Sequence, residues 1–453
     1  MEKEVLFRLS ANGDLLGYND CDAKSITIPD GVRWICKGAF GGHPNLQIVY
    51  IPQSVVHIAG AAFLNCKKLQ QVLFLDNDKR TTVLEIDDRV FEGCTSLRSI
   101  NLPNQVSIGR DVFIGCCSLE NAIIFGYEGK SIIHYSPNNK LPEYIIPEIV
   151  TIIEKNAFKD CTSLKSIIIP EGVTQIADFA FQGCTSLQKV YIPSSVTTIG
   201  RMAFDGCTNL MAIDVDKDNP RYLSYKGILF DYSDFSIIRF PPNNPTVTHI
   251  NSIPDNVRYI GSGAFSQCVY IKSITIPISV VSIGDFAFQD CQSLEDVKIL
   301  GSIDLISGLC FSGCKSLKSI HLPDDVTQIE DGAFWGCTSL QSIVLPRNLA
   351  SIGFSAFCEC NSLLSVYIPK NVTCIEGDDL GYGFQGAFTG CTSLNAIHCA
   401  ILNPNDIEIG EDAFNEVDLD ACTLFVPISI LEEYRKHPIF GRFKRITEEK
   451  VES

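Results

Sequence analysis

Residues 158–180 read FKDCTSLKSIIIPEGVTQIADFA, and residues 181–203 repeat the pattern as FQGCTSLQKVYIPSSVTTIGRMA. Counted from its Phe, this 23-residue unit has Cys at +3, Leu at +6, apolar residues at +9 and +11, Pro at +12, Val at +15 and Ile at +18. A Phe fills the same place, strictly or loosely spaced, at Phe40, Phe63, Phe91, Phe113, Phe158, Phe181, Phe204, Phe265, Phe288, Phe311, Phe334, Phe357, Phe388 and Phe414. Self-similarity at such a period predicts a stacked-coil architecture of about 14 coils.

The repeat has a direct physical interpretation. Leu164–Ile169 alternates at its end with period 2, as a short half-buried strand does, and Pro170 cannot donate a ladder hydrogen bond, so the strand ends there. Val173, Ile176 and Phe181 then return to the interior at spacings that suit an irregular or tightly wound side. One coil cannot offset the entropy of ordering its backbone, whereas stacked coils bury one another's faces. At a strand spacing of about 4.8 Å, the stacked coils would form a parallel sheet roughly 65–70 Å long.

The pattern F-x-x-C-T-S-L-x-x-I-x-I-P-x-x-V-x-x-I-x-x-x-A-F resembles the BspA-like leucine-rich repeat over roughly residues 20–446, and CTSL itself begins at Cys94, Cys161, Cys184, Cys337 and Cys391. The resemblance implies an α/β-type repeat solenoid that is right-handed and curved. It would have one parallel β-sheet of short strands and an irregular or short-helical convex side. In that family the roles are mostly adhesion and protein recognition at bacterial surfaces, including binding to host matrix proteins.

The domain organisation follows from where the repeat is regular. We expect an N-terminal cap at 1–28, the solenoid at 29–421 and a C-terminal cap at 422–453, because an open solenoid end exposes a strand edge and a hydrophobic cross-section. Two hairpin inserts are expected near 125–147 and 216–250, where the period breaks. The clearest hairpin joins Tyr225–Phe230 to Ile237–Phe240 through Asp-Tyr-Ser-Asp.

Composition excludes several classes of protein. With a formal net charge of −17, the 453-residue chain lacks the basic footprint that nucleic acids and anionic membranes require. No apolar run is long enough to span a bilayer, so we expect no membrane insertion. Residues 1–20 lack the apolar stretch of a secretory signal. The family resemblance implies the cell surface or secretion, and a native start at Met1 would imply the cytoplasm.

The 20 cysteines and the acidic segments offer little chemistry. Twelve cysteines occupy the +3 position, one per coil, and we interpret them as buried free thiols that act as small hydrophobes rather than as metal ligands or disulfides. Asp214–Asn219 begins like a calcium loop, but Asn219 stands where Gly is expected and Tyr225 where the bidentate Glu is expected, which favours a solvated turn. The seven His residues form no known catalytic motif. We expect no enzymatic activity, cofactor or metal.

Function is expected on the outer face of the sheet, where the +10 side chains leave the core. A purely solvating face would carry Lys, Glu, Thr and Ser, whereas this column contains several aromatic and apolar residues, which binding surfaces use as anchors. The alternative is plain β-propensity. The candidate partner-binding residues are Tyr50, Tyr191, Lys298, His321, Tyr367 and His398. The leading hypothesis is a monomeric protein-recognition or adhesion scaffold whose partner is a protein, such as a host matrix or surface protein. The alternative hypothesis is an intracellular protein-organising scaffold.

Overall fold

A computed structural model describes residues 6–75, 82–103, 106–109, 111–116, 118–119, 123–125, 129–244, 253–377 and 385–450. The chain forms two compact units. Unit 1 contains Met1–Cys207 and Asp218–Pro220, and unit 2 contains Thr208–Lys217 and Arg221–Ser453. The predicted repeat solenoid with short parallel strands is confirmed in both units, and with almost no helix it is a β-solenoid.

The strands predicted from the repeat form what we call the front row, together with the strands that pair with them in the interrupted coils and in the C-terminal segment. Most of the repeat strands end at or near the +12 position, where the repeat proline stands. Alternate side chains are buried, so that in Lys189–Ile192 the residues Val190 and Ile192 face the core. The front-row strands of unit 1 are Ser25–Thr27, Ile48–Ile51, Gln71–Phe74, Ser99–Ile100, Glu143–Ile145, Ser166–Ile168 and Lys189–Ile192. Those of unit 2 are Ala212–Val215, Ser273–Ile276, Asp296–Ile299, Ser319–His321, Ser342–Val344, Ser365–Ile368, Ala396–Cys399, Thr423–Pro427 and Arg445–Glu449.

A second set of strands, the back row, was not predicted. The sequence predicted a single parallel sheet, but each coil adds a strand of mostly two residues at +17 and +18. The buried Ile at +18 repeats once per coil, and the flanking backbone pairs in parallel with the next coil, as Gln175 and Ile176 pair with Thr198 and Ile199. In unit 1 the back row contains Leu15–Tyr18, Trp34–Ile35, His57–Ile58, Leu84–Ile86, Val106–Ile108, Ser131–Tyr135, Ile152–Ile153, Gln175–Ile176 and Thr198–Ile199. In unit 2 it contains Ser236–Arg239, Tyr259–Ile260, Ser282–Ile283, Leu305–Ile306, Gln328–Ile329, Ser351–Ile352, Cys374–Ile375 and Glu408–Ile409.

Two tight turns enclose the Phe of most coils, on the side that was predicted to be irregular or short-helical. Around Phe181 the residues at −2 and +2, Phe179 and Gly183, have left-handed φ angles of 58° and 74°. Asn65 and Asp160 occupy the +2 position in two other coils with φ near the same value, at 58° and 59°. Gly, Asn and Asp tolerate this region best, which explains the composition at +2. The chain therefore reverses twice around a buried ring without forming a helix.

The rings form an aromatic column through the core of each unit. Neighbouring rings are stacked at centroid distances such as 4.8 Å for Phe40 and Phe63, and 5.0 Å for Phe265 and Phe288. Two members of the column lie in the interrupted regions and were not predicted. Tyr135 stacks on Phe158 at 5.0 Å, and Phe240 stacks on Phe265 at 5.2 Å. Each interrupted region therefore holds a complete coil with its own ring.

Both predicted hairpin inserts are present. In unit 1, Ile123–Phe125 pairs antiparallel with Ser131–Tyr135. In unit 2, Ile228–Asp231 pairs antiparallel with Ser236–Arg239, which confirms the predicted hairpin, and Tyr222–Tyr225 adds a third antiparallel strand. Residues 126–128 and 245–250 of the predicted inserts lie outside the described residues.

The chain ends differ from the coils between them. At the N-terminus, Phe7–Leu9 pairs antiparallel with Leu15–Tyr18. At the C-terminus, Thr423–Pro427 leads through the helix Leu431–Lys436 and a 3-10 turn at Phe440–Arg442 to the last strand, Arg445–Glu449. A further 3-10 turn lies at Pro404–Asp406. The C-terminal segment remains our proposed cap, since it covers the last coil with buried rings.

Candidate functional site

Within each run of paired front-row strands, the +10 side chains form an outward column. In unit 2, Lys298 lies in register between Thr275 and His321. Farther along, Val344, Tyr367 and His398 occupy equivalent places on three paired strands. Because adjacent strands are about 4.8 Å apart, side chains of neighbouring coils in this column lie within contact reach of one another.

The exposed members of this column in unit 2 are partly apolar. Val344 is 77% exposed and Tyr367 is 38% exposed, while Lys298 and His321 are exposed polar neighbours. Their side chains are outside the core, and their backbone is already paired in the sheet. This part of the surface therefore combines an aromatic residue, an aliphatic residue and hydrogen-bonding groups, carried by neighbouring strands of the front row.

A second part of the column, in unit 1, is more apolar than predicted. Ile145, Ile168 and Tyr191 are exposed by 67%, 57% and 48%. Ile145 pairs in register with Ile168, and the pairing of Ser166 with Lys189 places Tyr191 next in the row. We call these three residues the apolar ridge. Scattered exposed apolar residues are ordinary on a protein surface, but three in adjacent register form a contiguous patch.

The structure does not bring all six predicted residues together. Tyr50 is half-buried in unit 1 between Thr27 and Leu73, on a separate run of front-row strands from Tyr191. Ile145 and Ile168 were not among the predicted residues. The signal for Ile145 was present: Ile145-Ile146-Pro147 repeats Ile168-Ile169-Pro170, and it follows Tyr135 at the usual distance.

His398 is held by the C-terminal segment. Its ring stacks on Phe425 at a centroid distance of 4.6 Å, with an interplanar angle of 7°. Its Nδ1 lies 2.9 Å from a carboxylate oxygen of Glu449. His398 is therefore already engaged within the chain, and its substitution should disturb the end of the front row as well as the surface.

An aromatic residue on the back row is a further surface feature that the sequence did not reveal. Trp34 is 48% exposed and meets His57 edge to face at 4.6 Å. Nε2 of His57 in turn lies 2.9 Å from Oδ1 of Asp87. These residues lie on neighbouring coils of the unpredicted row, so their proximity could be recognised only from the structure.

The cysteines at +3 are more than small hydrophobes. Each of the twelve thiols donates a hydrogen bond to the carbonyl oxygen of the ring residue in the preceding coil, at sulfur–oxygen distances from 2.9 Å for Cys66 to 3.7 Å for Cys268. The acceptor is Tyr135 for Cys161 and Phe240 for Cys268. Tyr135 and Phe240 therefore take the place of the repeat Phe in the aromatic column. The ladder thus satisfies one buried carbonyl per coil.

Thiol chemistry is suppressed by this environment. Burial raises the pKa of Cys337 and of Cys391 to about 12, so their thiols stay protonated at neutral pH. Every described cysteine is a free thiol, and among them only Cys21 is exposed while Cys36 and Cys374 are half-buried. Since the thiolate is the reactive form, the ladder should be inert in the folded protein.

Titration of the native protein with a thiol reagent should therefore modify Cys21 rapidly, Cys36 and Cys374 slowly, and the ladder hardly at all. After denaturation all 20 cysteines should react. Mass spectrometry of the modified peptides would identify each site. A gently purified sample in which most ladder cysteines are already disulfide-bonded would contradict this interpretation.

The segment that begins like a calcium loop is tied into the fold by its sixth residue. Nδ2 of Asn219, a buried side chain, donates to the carbonyl oxygens of Pro193 and Val196 at 2.8 and 3.0 Å. Asn219 therefore fixes the turn of unit 1 rather than providing the flexible Gly of a calcium loop. Within the described ranges, no group of three His, Cys, Asp or Glu side chains could hold a metal ion.

None of the helices in the described part of the chain is long and apolar enough to cross a bilayer.

The repeat matches that of a known protein family. The family model of the BspA-type leucine-rich repeat region matches residues 17–136, 134–252 and 258–383. The structure is similar to that of a leucine-rich cell surface protein from Faecalibacterium prausnitzii A2-165, with 30% sequence identity over 87% of this chain and 92% of that one, and a TM-score of 0.54. It is also similar in fold to the pneumococcal vaccine antigen PcpA, with 19% identity over 98% of this chain and 96% of that one, and a TM-score of 0.50. No curated protein matches this sequence.

Proposed function

This chain belongs to the BspA-type leucine-rich repeat family, and from that premise we propose that it is a non-enzymatic protein-recognition or adhesion scaffold that binds a protein partner through its front row. The observation that carries the proposal is the outward +10 column, with the apolar ridge in unit 1 and the pair Val344 and Tyr367 in unit 2. The similar F. prausnitzii protein is a cell surface protein, which supports an extracellular or surface partner, such as a host matrix protein.

The chemistry of the column fits protein recognition better than recognition of an anion or a nucleic acid. Binding hot spots on proteins are enriched in aromatic residues that become fully desolvated in the complex. Tyr191 and Tyr367 present such rings from a rigid strand, so little side-chain entropy is lost on binding. The net charge of −17 favours a partner with a neutral or basic surface over a polyanion.

The column is also separable from folding, which makes the proposal testable. Buried residues at +9 and +11, such as Val366 and Ile368, hold each strand to the core, whereas the +10 side chain between them, Tyr367, points away from the core and is 38% exposed. An intracellular organising scaffold would use the same surface, so experiments on the column test the mode of recognition whatever the compartment.

We expect the triple variant Tyr191→Ser/His321→Ser/Tyr367→Ser to melt like the parent and to lose its partner. Each surface substitution should change the free energy of unfolding by no more than about 0.5 kcal/mol. Loss of one true aromatic anchor costs about 2 kcal/mol or more, which weakens binding some thirtyfold. Calorimetric melting and surface plasmon resonance against a panel of purified matrix proteins would measure the two effects.

The matched control carries Gln175→Ala, Thr198→Ala and Gln328→Ala, which lie on the back row. It should bind with the affinity of the parent. Equal affinities of the parent and the triple variant would rule out the front row as the binding surface. His398→Ser is kept apart from the triple variant because loss of its contacts with Phe425 and Glu449 should lower stability as well.

A further inference from the structure

Three exposed apolar side chains lie on two neighbouring turns of unit 2, directly after the front-row strands Ser273–Ile276 and Asp296–Ile299. Ile278 is 81% exposed, Leu300 is 46% exposed and Val281 is 37% exposed. Among the described residues, no other large apolar side chain is as exposed as Ile278. We call these three residues the turn patch. It lies on the turns and is separate from the outward +10 column that we propose as the front-row binding surface.

The turn patch departs from the repeat in two successive coils. In five coils the turn after the strand reads Pro, two polar or small residues, an apolar residue and then Thr or Ala, namely at residues 170–174, 193–197, 323–327, 346–350 and 369–373. Residues 277–281 read Pro-Ile-Ser-Val-Val, so Ile278 takes a polar position and Val281, at the end of the same turn, takes the place of Thr. Residues 300–304 read Leu-Gly-Ser-Ile-Asp, so Leu300 takes the place of the repeat proline. Both turns therefore carry apolar side chains where the repeat has polar residues or proline.

The register of the strands brings these side chains together. Ile276 pairs in register with Ile299. The residues that follow, Pro277 and Leu300, are therefore neighbours, and the N–H of Leu300 donates to the carbonyl oxygen of Ile276 at 2.9 Å. Ile278 comes directly after Pro277, one strand spacing of about 4.8 Å from the coil of Leu300, so the two apolar side chains are within contact reach. Scattered exposed apolar residues are ordinary on a protein surface, but side chains at adjacent register positions form a contiguous area.

Carboxylates flank the turn patch. The turns that contain or adjoin it are residues 254–258, 277–281, 300–304 and 323–327, and their charged residues are Asp255, Arg258, Asp304, Asp324 and Asp325. The pairing register of the preceding coil places Asp255 beside Ile278. The register of the following coil places Asp304 beside Val281. Negative charge therefore lies next to both ends of the turn that carries the most exposed apolar side chain.

Most of this negative charge has no positive partner within the chain. Asp324 forms an ion pair with Arg347 at 3.6 Å. Asp325 accepts a hydrogen bond from the hydroxyl group of Ser302, a neutral donor, at 2.6 Å. The other two carboxylates of these turns form no ion pair with any residue that the structure describes. Three carboxylates therefore remain against the single guanidinium group of Arg258, which favours a positively charged partner.

We propose that the turn patch binds a basic, partly apolar segment of a second protein, in which large apolar side chains are flanked by Lys or Arg. The apolar side chains would cover Ile278 and Leu300, and the basic groups would lie against Asp255 and Asp304. Removal of apolar area from water would stabilise this contact, and the opposite charges would make it selective. A second copy of this chain would bring like charges together, and an anionic lipid surface would be repelled.

Selection from a phage-displayed library of random dodecapeptides tests this proposal. Peptides that bind the double variant Ile278→Ser/Leu300→Ser are removed first, and peptides that bind the full parent chain are then collected. We expect the collected peptides to combine Lys or Arg with Leu, Ile, Phe or Trp. The proposal would be overturned if no peptide distinguishes the parent from the double variant, or if the collected peptides lack basic residues.

A collected peptide labelled with fluorescein then tests the role of the carboxylates by fluorescence anisotropy. Asp255→Asn/Asp304→Asn should bind the peptide about fivefold more weakly than the parent at low salt and should show a smaller loss of affinity as salt is added. The matched control is Leu402→Ser/Asp22→Asn, which removes an apolar side chain that is 67% exposed and an exposed carboxylate at distant positions. It should bind the peptide like the parent, and all these variants should melt like the parent because the substituted side chains are exposed.

The front-row triple variant distinguishes this proposal from the proposed function. It should bind the same peptide with the affinity of the parent, because the turn patch is intact in it. The proposal would be contradicted by equal affinity and equal salt dependence of Asp255→Asn/Asp304→Asn and the parent. Size-exclusion chromatography gives a further check: self-association of the parent that Ile278→Ser/Leu300→Ser abolishes would identify a second copy of the chain as the occupant and overturn the proposal.

Discussion

Deletion of residues 422–453 should make the chain aggregate or melt more than about 10 °C below the parent, since it uncovers several large buried side chains at about 1.5–3 kcal/mol each. Thr423–Pro427 pairs in parallel with Ala396–Cys399, and Arg445–Glu449 pairs with Thr423–Pro427. Without them the strand Ala396–Cys399 becomes an open edge that can pair with another chain.

The side chains of this segment explain the size of the effect. Tyr434 and Phe440 are fully buried, and the hydroxyl of Tyr434 donates to the carbonyl oxygen of Ile401 at 2.8 Å. Phe443 meets Phe414, the last Phe of the predicted repeats, edge to face at 5.6 Å. The proposed cap therefore ends the aromatic column with a perpendicular ring and leaves no face on which another coil could stack.

Size-exclusion chromatography and calorimetric melting would measure the consequence. A deletion of residues 450–453 is the matched control, because it leaves the strand Arg445–Glu449 in place and should behave like the parent. If the long deletion stays monomeric with an unchanged melting curve, the segment does not close the solenoid.

Phe311→Ala should reduce the free energy of unfolding by about 3–5 kcal/mol, the usual cost of removing a fully buried aromatic ring. Phe311 is 0% exposed and stacks on Phe288 at 5.2 Å and on Phe334 at 5.5 Å. Its loss breaks two ring contacts at once and leaves a cavity in the middle of the column, far from either chain end.

Denaturant unfolding followed by circular dichroism would give the change. The matched control is Phe235→Ala, since Phe235 is 47% exposed and should contribute less than about 1 kcal/mol. A loss no larger for Phe311→Ala than for this control would show that the column does not hold the coils together.

The regular coils could be predicted from the sequence because their signals are local and repeated. In a regular coil the Phe indicates the core ring, the Cys at +3 indicates a buried turn, and the Pro at +12 indicates the end of the strand. Each signal can be recognised without reference to the rest of the chain. The rings Tyr135 and Phe240 escaped because hairpin inserts shift their spacing and because Tyr replaces Phe in one of the two coils. Ile146-Pro147 still follows Tyr135 at the usual distance, so this ring could have been recognised from the sequence.

The remaining features depend on contacts that no local pattern encodes. A back-row strand of two residues, such as Gln328–Ile329, is too short to show alternation. The left-handed conformation of Phe179 comes from stacking of the coils and not from its residue type. The pairing of His398 with Glu449 joins positions 51 residues apart. Each of these therefore needed the three-dimensional structure.

Cross-linking from the front row tests most directly whether that row recognises protein. A photoreactive p-benzoylphenylalanine would replace Ile168 or Val344 on the front row, or Gln175 or Gln328 on the back row, in the presence of a matrix protein that binds the parent. The proposed function predicts cross-links to the partner from Ile168 or Val344 and none from Gln175 or Gln328. Cross-links from the back-row positions alone would contradict it.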